Sequence, residues 1–250
     1  DALDTDIVRR MMELQIDVMR RDPSGQWRNP CSVQPRGRRE YHVPRKSMNR
    51  KKRALMFLLT GNIEIIESAY LYYSHTKDID WLHGHIGDLE NAVSLVEAHI
   101  DNHFRLWSDV YYEDQVIKDG RVTIAQAFAV NSFRLLSSLE GLLDRYEQAE
   151  RYARLSRGLA DTLVKPLPDG YWDEVNSRFV DWVDRDGSVH DHIHLLANEL
   201  PLLFGCAGTA QREAVERLLK QHREVLEKFP SFVAAKIEDY SQDEIGTGGP

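Results

Sequence analysis

Residues 106–131 read LWSDVYYEDQVIKDGRVTIAQAFAVN, an aromatic and acidic loop followed by an apolar segment. After Gly120, apolar residues recur at intervals of three and four, which is the spacing of one face of an α-helix. This face contains Ile124, Phe128, Asn131, Leu135, Leu139, Leu142 and Tyr146. The stretch therefore predicts a long loop that leads directly into a core helix.

Helical spacing continues on both sides of this stretch. A first helix is predicted from the apolar residues Ile7, Met11, Leu14 and Val18, with an N-cap among Asp4, Thr5 and Asp6. Three helix pairs are predicted to follow, over residues 47–76 and 79–103, 122–147 and 148–164, and 191–205 and 209–229. Their short links recur roughly every 60 to 70 residues, which is typical of helical-hairpin arrays. We therefore predict an all-α fold in a single domain over residues 1–250.

Longer connections interrupt the helices. Residues 22–45 contain four prolines and two glycines with little periodicity, which predicts a long loop. Residues 107–121 and 166–189 join one helix pair to the next, and alternating aromatic and polar residues near Asp186-Gly187 predict a short β-hairpin. Because such connections should emerge at one end of the array, we expect the functional site there.

The composition favours a globular protein without a membrane span. The chain is 42% hydrophobic and has a net charge of −8. No window approaches the roughly 18 apolar residues that a spanning helix needs, so we expect a cytoplasmic protein that binds no membrane. Cys31 and Cys206 stand far apart, which argues against a zinc site. We expect no metal and no cofactor.

Nine Lys and Arg residues lie between Arg36 and Arg53, where Glu40 is the one acidic residue. Such a segment either holds an anionic partner or faces an acidic element of the same fold. We favour the second interpretation and expect no nucleic acid.

Asp109 is the first candidate for catalysis. It follows Trp107, whose ring would exclude water and raise the pKa of the carboxyl group, as a proton donor requires. The alternative is that Asp109 only caps the next turn, and Glu113 and Asp114 compete with it for the catalytic role.

Two further features contain chemically versatile side chains. Asn131 lies on the apolar helix face, so its amide either hydrogen-bonds within the core or contacts a ligand. His190, His192 and His194 could bind a metal, or one could act as a base. If they open a helix, residues two apart point in opposite directions, and one would pack while another is exposed.

Two segments resemble the six-hairpin, (α/α)6-barrel glycosidases, most of all the glucosidase domain of glycogen debranching enzymes. Leu106-Trp107-Ser108-Asp109-Val110 is similar to the Thr-Trp-Met-Asp-Ala loop that supplies the general acid in that family. The segment from Phe179 to Gly187, followed by Asn198-Glu199-Leu200, is similar to an aromatic loop ending in Val-Asp-x-Asp-Gly and a helix opened by Asn-Gln-Leu. The matches span residues 104–206.

The resemblance implies an (α/α)6 toroid, incomplete in this chain, with Asp109 as the general acid. Arg45-Lys46 stands where the family has an Arg-Asp pair, and Thr123 and Ala125 replace a Glu and an Asn, so we expect a substrate other than a glucan. The family's catalytic base comes from a later hairpin. We therefore expect the chain to be a fragment, with the base either beyond Pro250 or at Glu244.

Together these features predict an inverting glycoside hydrolase that acts on an oligosaccharide or glycoconjugate. Asp109 and Glu244 are the predicted catalytic residues. Sugar contacts are predicted for Trp107, Tyr111, Gln126, Asn131, Trp172, Trp182 and His192. We also expect association with a further segment of the protein or a homo-oligomer.

Two alternatives remain open. One is a sugar epimerase or polysaccharide lyase with a histidine base, in which the basic segment holds an acidic sugar. The other is a non-enzymatic helical module that binds a partner through its basic loop.

Overall fold

The computed structural model describes residues 4–30, 32–40, 59–108, 116, 118–228, 231–232, 234–242 and 244. The described part is mostly helical, at 58% helix and 11% strand. The helices are α1 (Thr5–Arg20), α2 (Leu59–Thr76), α3 (Ile79–Glu97), α4 (Thr123–Leu142), α5 (Tyr146–Leu163), α6 (Leu195–Leu203), α7 (Thr209–Gln221) and α8 (Arg223–Leu226). A 3₁₀ turn follows at Ile237–Asp239. The predicted all-α class is confirmed.

Short antiparallel strands connect the helices. They are β1 (Ser32–Val33), β2 (Arg39–Glu40), β3 (Gly120–Val122), β4 (Trp172–Asp173), β5 (Arg178–Phe179), β6 (Trp182–Asp184), β7 (Val189–His190), β8 (Glu227–Lys228) and β9 (Ser231–Phe232). The pairs are β1 with β2, β4 with β5 and β8 with β9, and β6 lies between β3 and β7. Among the described helices, none has the length and apolar character needed to cross a membrane.

The chain divides into two compact units. One comprises residues 1–99 and 131–156, and the other comprises residues 100–130 and 157–250. The boundaries of these units fall within α4 and α5, and the single domain expected from the sequence over residues 1–250 stays a prediction.

In the first unit, α2 and α3 form the first predicted helix pair. The Asp78 carboxylate caps α3 by accepting from the Trp81 N–H at 3.0 Å, and it also accepts from the Tyr72 hydroxyl of α2 at 2.7 Å. Asn62 of α2 donates to the carbonyl oxygens of Ala92 and Trp27. Through Asn62, this first helix pair is anchored to the described part of the loop predicted over residues 22–45.

The pair α4 and α5 turns earlier than predicted. The sequence placed the link at Glu147-Gln148, whereas the chain reverses at residues 143–145. Asp144 there adopts a positive φ of 58°, and the Arg145 N–H donates back to the Glu140 carbonyl at 3.0 Å. This local closure ends α4 at Leu142, although the apolar spacing continues to Tyr146.

The second unit contains α6, α7 and the three-stranded sheet. The predicted hairpin near Asp186-Gly187 is present as β6 and β7, in which Trp182 pairs with His190 and Val183 with Val189. Gly187 has a φ of 91°, a conformation that glycine adopts without strain, and its N–H closes the turn onto the Asp184 carbonyl at 3.0 Å. Because β7 pairs with β6, the helix predicted from residue 191 begins only at Leu195.

Candidate functional site

Two predicted site residues, Asp109 and Tyr111, lie outside the described residues. Trp107, which precedes them, is half-buried. Its indole Nε1–H donates to the Asp101 carboxylate at 2.9 Å. The general-acid role of Asp109 therefore stays a prediction from the sequence.

The histidine segment is extended rather than helical. His190 ends β7, the next residues form no regular structure, and His194 caps α6 by accepting from the Ala197 N–H through Nδ1. In an extended chain, residues two apart lie on the same side. His190 and His192 therefore face one way, and the intervening Asp191 pairs with Arg178. The expectation that a helix would point them apart was wrong, because strand pairing overrides the helical pattern.

His190 and His192 both meet the carboxylate of Glu244. The Nδ1 atom of His190 is 2.5 Å from Glu244 Oε1, and the Nε2 atom of His192 is 2.9 Å from the same oxygen. The other carboxylate oxygen, Oε2, accepts from the Ser241 N–H at 2.6 Å. Two neighbouring histidines and Glu244, which lies 54 and 52 positions from them, thus form one half-buried cluster.

The surroundings keep Glu244 ionised. Partial burial by itself would raise its pKa, but the hydrogen bonds with His192, the Ser241 N–H and His190 outweigh burial and lower the pKa to about 2. Glu244 is therefore a carboxylate across the range in which most enzymes work. A group with so low a pKa is a weak proton acceptor at neutral pH.

The two histidines differ in their remaining ring nitrogens. The Nε2 atom of His190 is 3.0 Å from the Asp184 carboxylate, so both of its nitrogens face acids. His192 has no hydrogen-bond partner at Nδ1 among the described residues. His192 is thus the member of the cluster with a nitrogen available to a substrate or water.

Aromatic rings hold both histidines in place. Trp182 stacks on His190 with centroids 3.9 Å apart, and Tyr240 stacks on His192 with centroids 4.0 Å apart. Trp182 is almost fully buried, and so is Tyr240. Such packing restricts the rotation of each imidazole, which keeps the ring nitrogens directed at Glu244.

A buried ion pair contacts the residues that carry these rings. The Lys118 ammonium donates to Asp181 Oδ1 at 2.7 Å, and the Tyr240 hydroxyl donates to Asp181 Oδ2 at 2.7 Å. Lys118 Nζ also lies 5.5 Å from the centre of the Trp182 ring. Lys118 and Asp181 are both fully buried. Through its two oxygens, the Asp181 carboxylate connects Lys118 to Tyr240, whose ring stacks on His192.

Three of the predicted residues, Trp182, His192 and Glu244, are therefore brought together. Sequence reasoning did not assign roles to Tyr240, Lys118 or Asp181. A signal was available in the alternation of residues between Trp182 and His192. When this segment forms a hairpin, the rings of Trp182 and His192 come to lie on the same side.

Gln126 has a structural role instead of the predicted sugar contact. Its amide Nε2 donates to the carbonyl oxygens of Phe104 and Leu159, both at 2.9 Å. Its Oε1 accepts from the Leu106 N–H and the Tyr171 hydroxyl, also at 2.9 Å. The side chain is fully buried and all of its hydrogen-bonding groups are used, so none is left for a substrate.

Trp172 and Asn131 are also packed within the protein. Trp172 is 9% exposed and meets Phe179 edge to face, with centroids 4.9 Å apart. Asn131 is buried, and its Oδ1 accepts from the Arg134 guanidinium at 2.7 Å. Neither residue contacts the cluster of His190, His192 and Glu244 through a hydrogen bond or ring contact among the described residues.

The three donor atoms of His190, His192 and Glu244 lie within 4.8 Å of one another, a spacing that metal ligands also have. Here both ring nitrogens contact one carboxylate oxygen directly. As placed, the three groups hydrogen-bond to one another, an arrangement that supports proton transfer.

Comparison with known proteins concerns the fold. No family model and no curated protein matches this sequence. The structure is similar to a GH78 family rhamnosidase of Bacillus sp. GL1, with 18% identity and a TM-score of 0.68 over 86% of this chain. It is also similar to a rhamnosidase from Klebsiella oxytoca solved with rhamnose bound, with 16% identity and a TM-score of 0.63 over 87% of this chain.

These likenesses establish the fold class. The helical-hairpin fold of the (α/α)6 glycosidase type is confirmed, whereas the closer likeness to glycogen debranching enzymes is not supported, since the matched proteins are rhamnosidases. The chain spans 20% of the Bacillus protein and 38% of the Klebsiella protein. At identities this low the likeness carries no activity with it.

Proposed function

We propose that this chain forms part of an inverting glycoside hydrolase that acts on an oligosaccharide or glycoconjugate. The observation that carries the proposal is the convergence of His190 and His192 on Glu244 within a fold shared with two rhamnosidases. A rhamnoside is the first substrate to test, because the matched structures are rhamnosidases. Cytoplasmic location and self-association stay predictions.

The cluster supports a division of labour between Glu244 and His192. In an inverting hydrolase, one group protonates the leaving oxygen while a second takes a proton from the attacking water. Glu244 was predicted to be that second group, but its pKa of about 2 makes it a weak base. We therefore assign the proton-accepting role to His192 Nδ1 and the orienting role to Glu244.

In this assignment the Glu244 carboxylate and the His192 imidazole act as a pair. If His192 donates from Nε2 to Glu244, its Nδ1 bears the lone pair. The carboxylate then fixes the tautomer and stabilises the imidazolium that forms when Nδ1 receives the proton from water. The hydroxyl adds to the anomeric carbon as Asp109 protonates the departing oxygen. His192 thus takes one proton from water, and Asp109 gives one proton to the leaving group.

The experiment compares variants in the complete polypeptide with an aryl rhamnoside and other aryl glycosides as substrates. His192→Gln should lower kcat roughly 10²-fold to 10⁴-fold, since glutamine cannot accept the proton. Asp109→Asn should lower it similarly on a poor leaving group and less on an activated aryl group. His83→Gln, at an exposed position, is the matched control and should leave turnover unchanged.

Product analysis tests the reaction type. Hydrolysis in H₂¹⁸O should place the label on the anomeric carbon, and the first product detected by NMR should have the inverted configuration. Activity that is unaffected by both His192→Gln and Asp109→Asn would refute the assignment.

One observation favours a second candidate, a sugar epimerase or polysaccharide lyase. The Nδ1 atom of His192, which has no partner in the described part of the chain, could equally remove a proton from a carbon atom of the sugar. Such a reaction would exchange deuterium from D₂O into a carbon position or yield an unsaturated product, and no ¹⁸O would reach the anomeric carbon.

A further inference from the structure

The guanidinium of Arg121 is buried and lies close to two aromatic rings. Arg121 lies on β3 and is 4% exposed, and its Cζ is 5.6 Å from the ring centres of both Trp107 and Tyr171. Its Nη2 donates to the Pro168 carbonyl at 3.1 Å. Its Nε and Nη1 have no hydrogen-bond partner among the described residues.

Such an arrangement is costly without an acceptor. Arginine stays protonated in proteins, and a buried charged donor that makes no hydrogen bond loses the solvation it had in water. Burial is the main reason that the pKa of Arg121 is lowered. Two buried nitrogen atoms of Arg121, Nε and Nη1, thus lack an acceptor among the described residues.

Positive charge accumulates around the same tryptophan. The Cζ atoms of Arg105 and Arg185 each lie 5.8 Å from the Trp107 ring centre. Arg105 donates to Asp101 at 2.8 Å, and Arg185 donates to Asp119 at 2.7 Å. Arg121 is the guanidinium of this group that has no acidic partner among the described residues.

Asp101 cannot serve Arg121 in addition. Its carboxylate accepts from the Trp107 indole, the Arg105 side chain and the N–H groups of His103 and Arg105. Partial burial by itself would raise the pKa of Asp101, but these bonds outweigh it and lower the pKa to about 2. The Asp101 carboxylate is therefore already saturated with hydrogen-bond donors.

We propose that Arg121 and Trp107 form a subsite for the carboxylate of an acidic sugar. Hydrogen bonds between a guanidinium and a carboxylate are about twice as strong as those between neutral groups, and burial close to these rings strengthens them further. The half-buried Trp107 and the Arg185 side chain, which is 51% exposed, provide the approach from solvent. A neutral sugar would offer the Arg121 donors only weaker, uncharged acceptors, so the subsite favours a charged ligand.

The choice of a sugar as bearer of the carboxylate rests on the proposed function. Binding of the anion itself requires no turnover. Uronate binding without hydrolysis of any aryl glycoside would therefore contradict the hydrolase and leave the subsite intact. Hydrolysis of an aryl glycoside without uronate binding would contradict the subsite and leave the hydrolase intact.

The test is calorimetric titration of the full chain with glucuronate, galacturonate, their methyl esters and rhamnose. The esters keep the shape of the sugar and remove its charge. Both uronates should bind at least about tenfold more tightly than their esters and than rhamnose, because only the uronates offer Arg121 a charged acceptor. Equal binding of acid and ester, no binding of either uronate, or inorganic phosphate binding in their place would overturn the proposal.

Variants locate the site. Arg121→Gln should weaken uronate binding at least about tenfold, whereas Arg223→Gln, at an exposed position far along the chain, should not change it. If Arg121→Gln fails to fold, Arg185→Gln is the substitute, since its exposed side chain can be changed without disturbing the core. Uronate affinity that is the same in wild type, Arg121→Gln and Arg185→Gln would contradict the subsite.

Discussion

The indole ring of Trp182 lies flat against the imidazole ring of His190, with centroids 3.9 Å apart and planes inclined by 7°. The pairing of β6 with β7 sets the two residues opposite each other. Trp182 Nε1 donates to Asp184 Oδ1 at 2.8 Å, while Asp184 Oδ2 is 3.0 Å from His190 Nε2. One ring and one carboxylate therefore fix the histidine that contacts Glu244.

Replacement of Trp182 tests this support. Trp182 is 1% exposed, so Trp182→Ala should lower the free energy of unfolding by about 3 to 5 kcal/mol. Trp182→Phe keeps an aromatic face against His190 but lacks the indole donor, and it should cost markedly less. Denaturant unfolding followed by circular dichroism measures both. Equal losses in the two variants would show that the stacked ring contributes little.

The buried pair of Lys118 and Asp181 should show strong coupling. Lys118→Met leaves the Asp181 charge buried without its cation and should destabilise the protein by about 3 to 5 kcal/mol. Asp181→Asn should have a comparable effect, because it strands the Lys118 ammonium. The double variant removes both charges and should be more stable than either single variant. Additive losses in this double-mutant cycle would argue against a direct interaction.

Substitution of Gln126 tests whether this residue has a structural role or contacts a sugar. Gln126→Leu removes four hydrogen bonds from a fully buried amide and should cost roughly 3 kcal/mol or more. Tyr171→Phe removes one of the four and should cost about 1 kcal/mol. Thermal or denaturant unfolding ranks the two. Unchanged stability in Gln126→Leu with a raised KM for the sugar would restore the original prediction of substrate contact.

Glu140 should make stability depend on pH. Burial raises its pKa to about 7, the charge of Glu90 adds to the rise, and Arg145, 3.2 Å away, opposes it. Since the folded pKa lies above the ordinary value of 4.5, the folded protein holds this proton more tightly than the unfolded chain does. Stability from this group is therefore fully present below pH 4.5 and is lost as the pH rises through about 7.

The loss over this window should amount to roughly 3 kcal/mol or less, from a difference of a few pKa units between the two states. Glu140→Gln cannot ionise and should show a flatter dependence, while Glu213→Gln, at an exposed site, should keep the wild-type slope. Free energies of unfolding at pH 5 and pH 8 provide the comparison. If the free energy of unfolding changes with pH in parallel for wild type and Glu140→Gln, then Glu140 is not the source of the pH dependence.

The sequence by itself determined the helices, their pairing and the hairpin before α6. Apolar spacing of three and four residues, the cap of α1 at Asp4 and the glycine turn at Gly187 act over a few positions, so the sequence displays them directly. The same local rules misplaced the turn between α4 and α5, which closes through Asp144 and Arg145 although the apolar spacing continues. They also treated His190 and His192 as helical, whereas strand pairing with β6 overrides that local preference.

Only the tertiary structure decided the composition of the candidate site. Glu244 stands 54 positions from His190 and 52 from His192, and Asp181 stands 63 from Lys118 and 59 from Tyr240. No periodic pattern extends over such separations. These contacts form because folding brings distant segments together and then requires each buried charge and polar group to find a partner, which also explains why Gln126 became a core residue and Glu244 an ionised one.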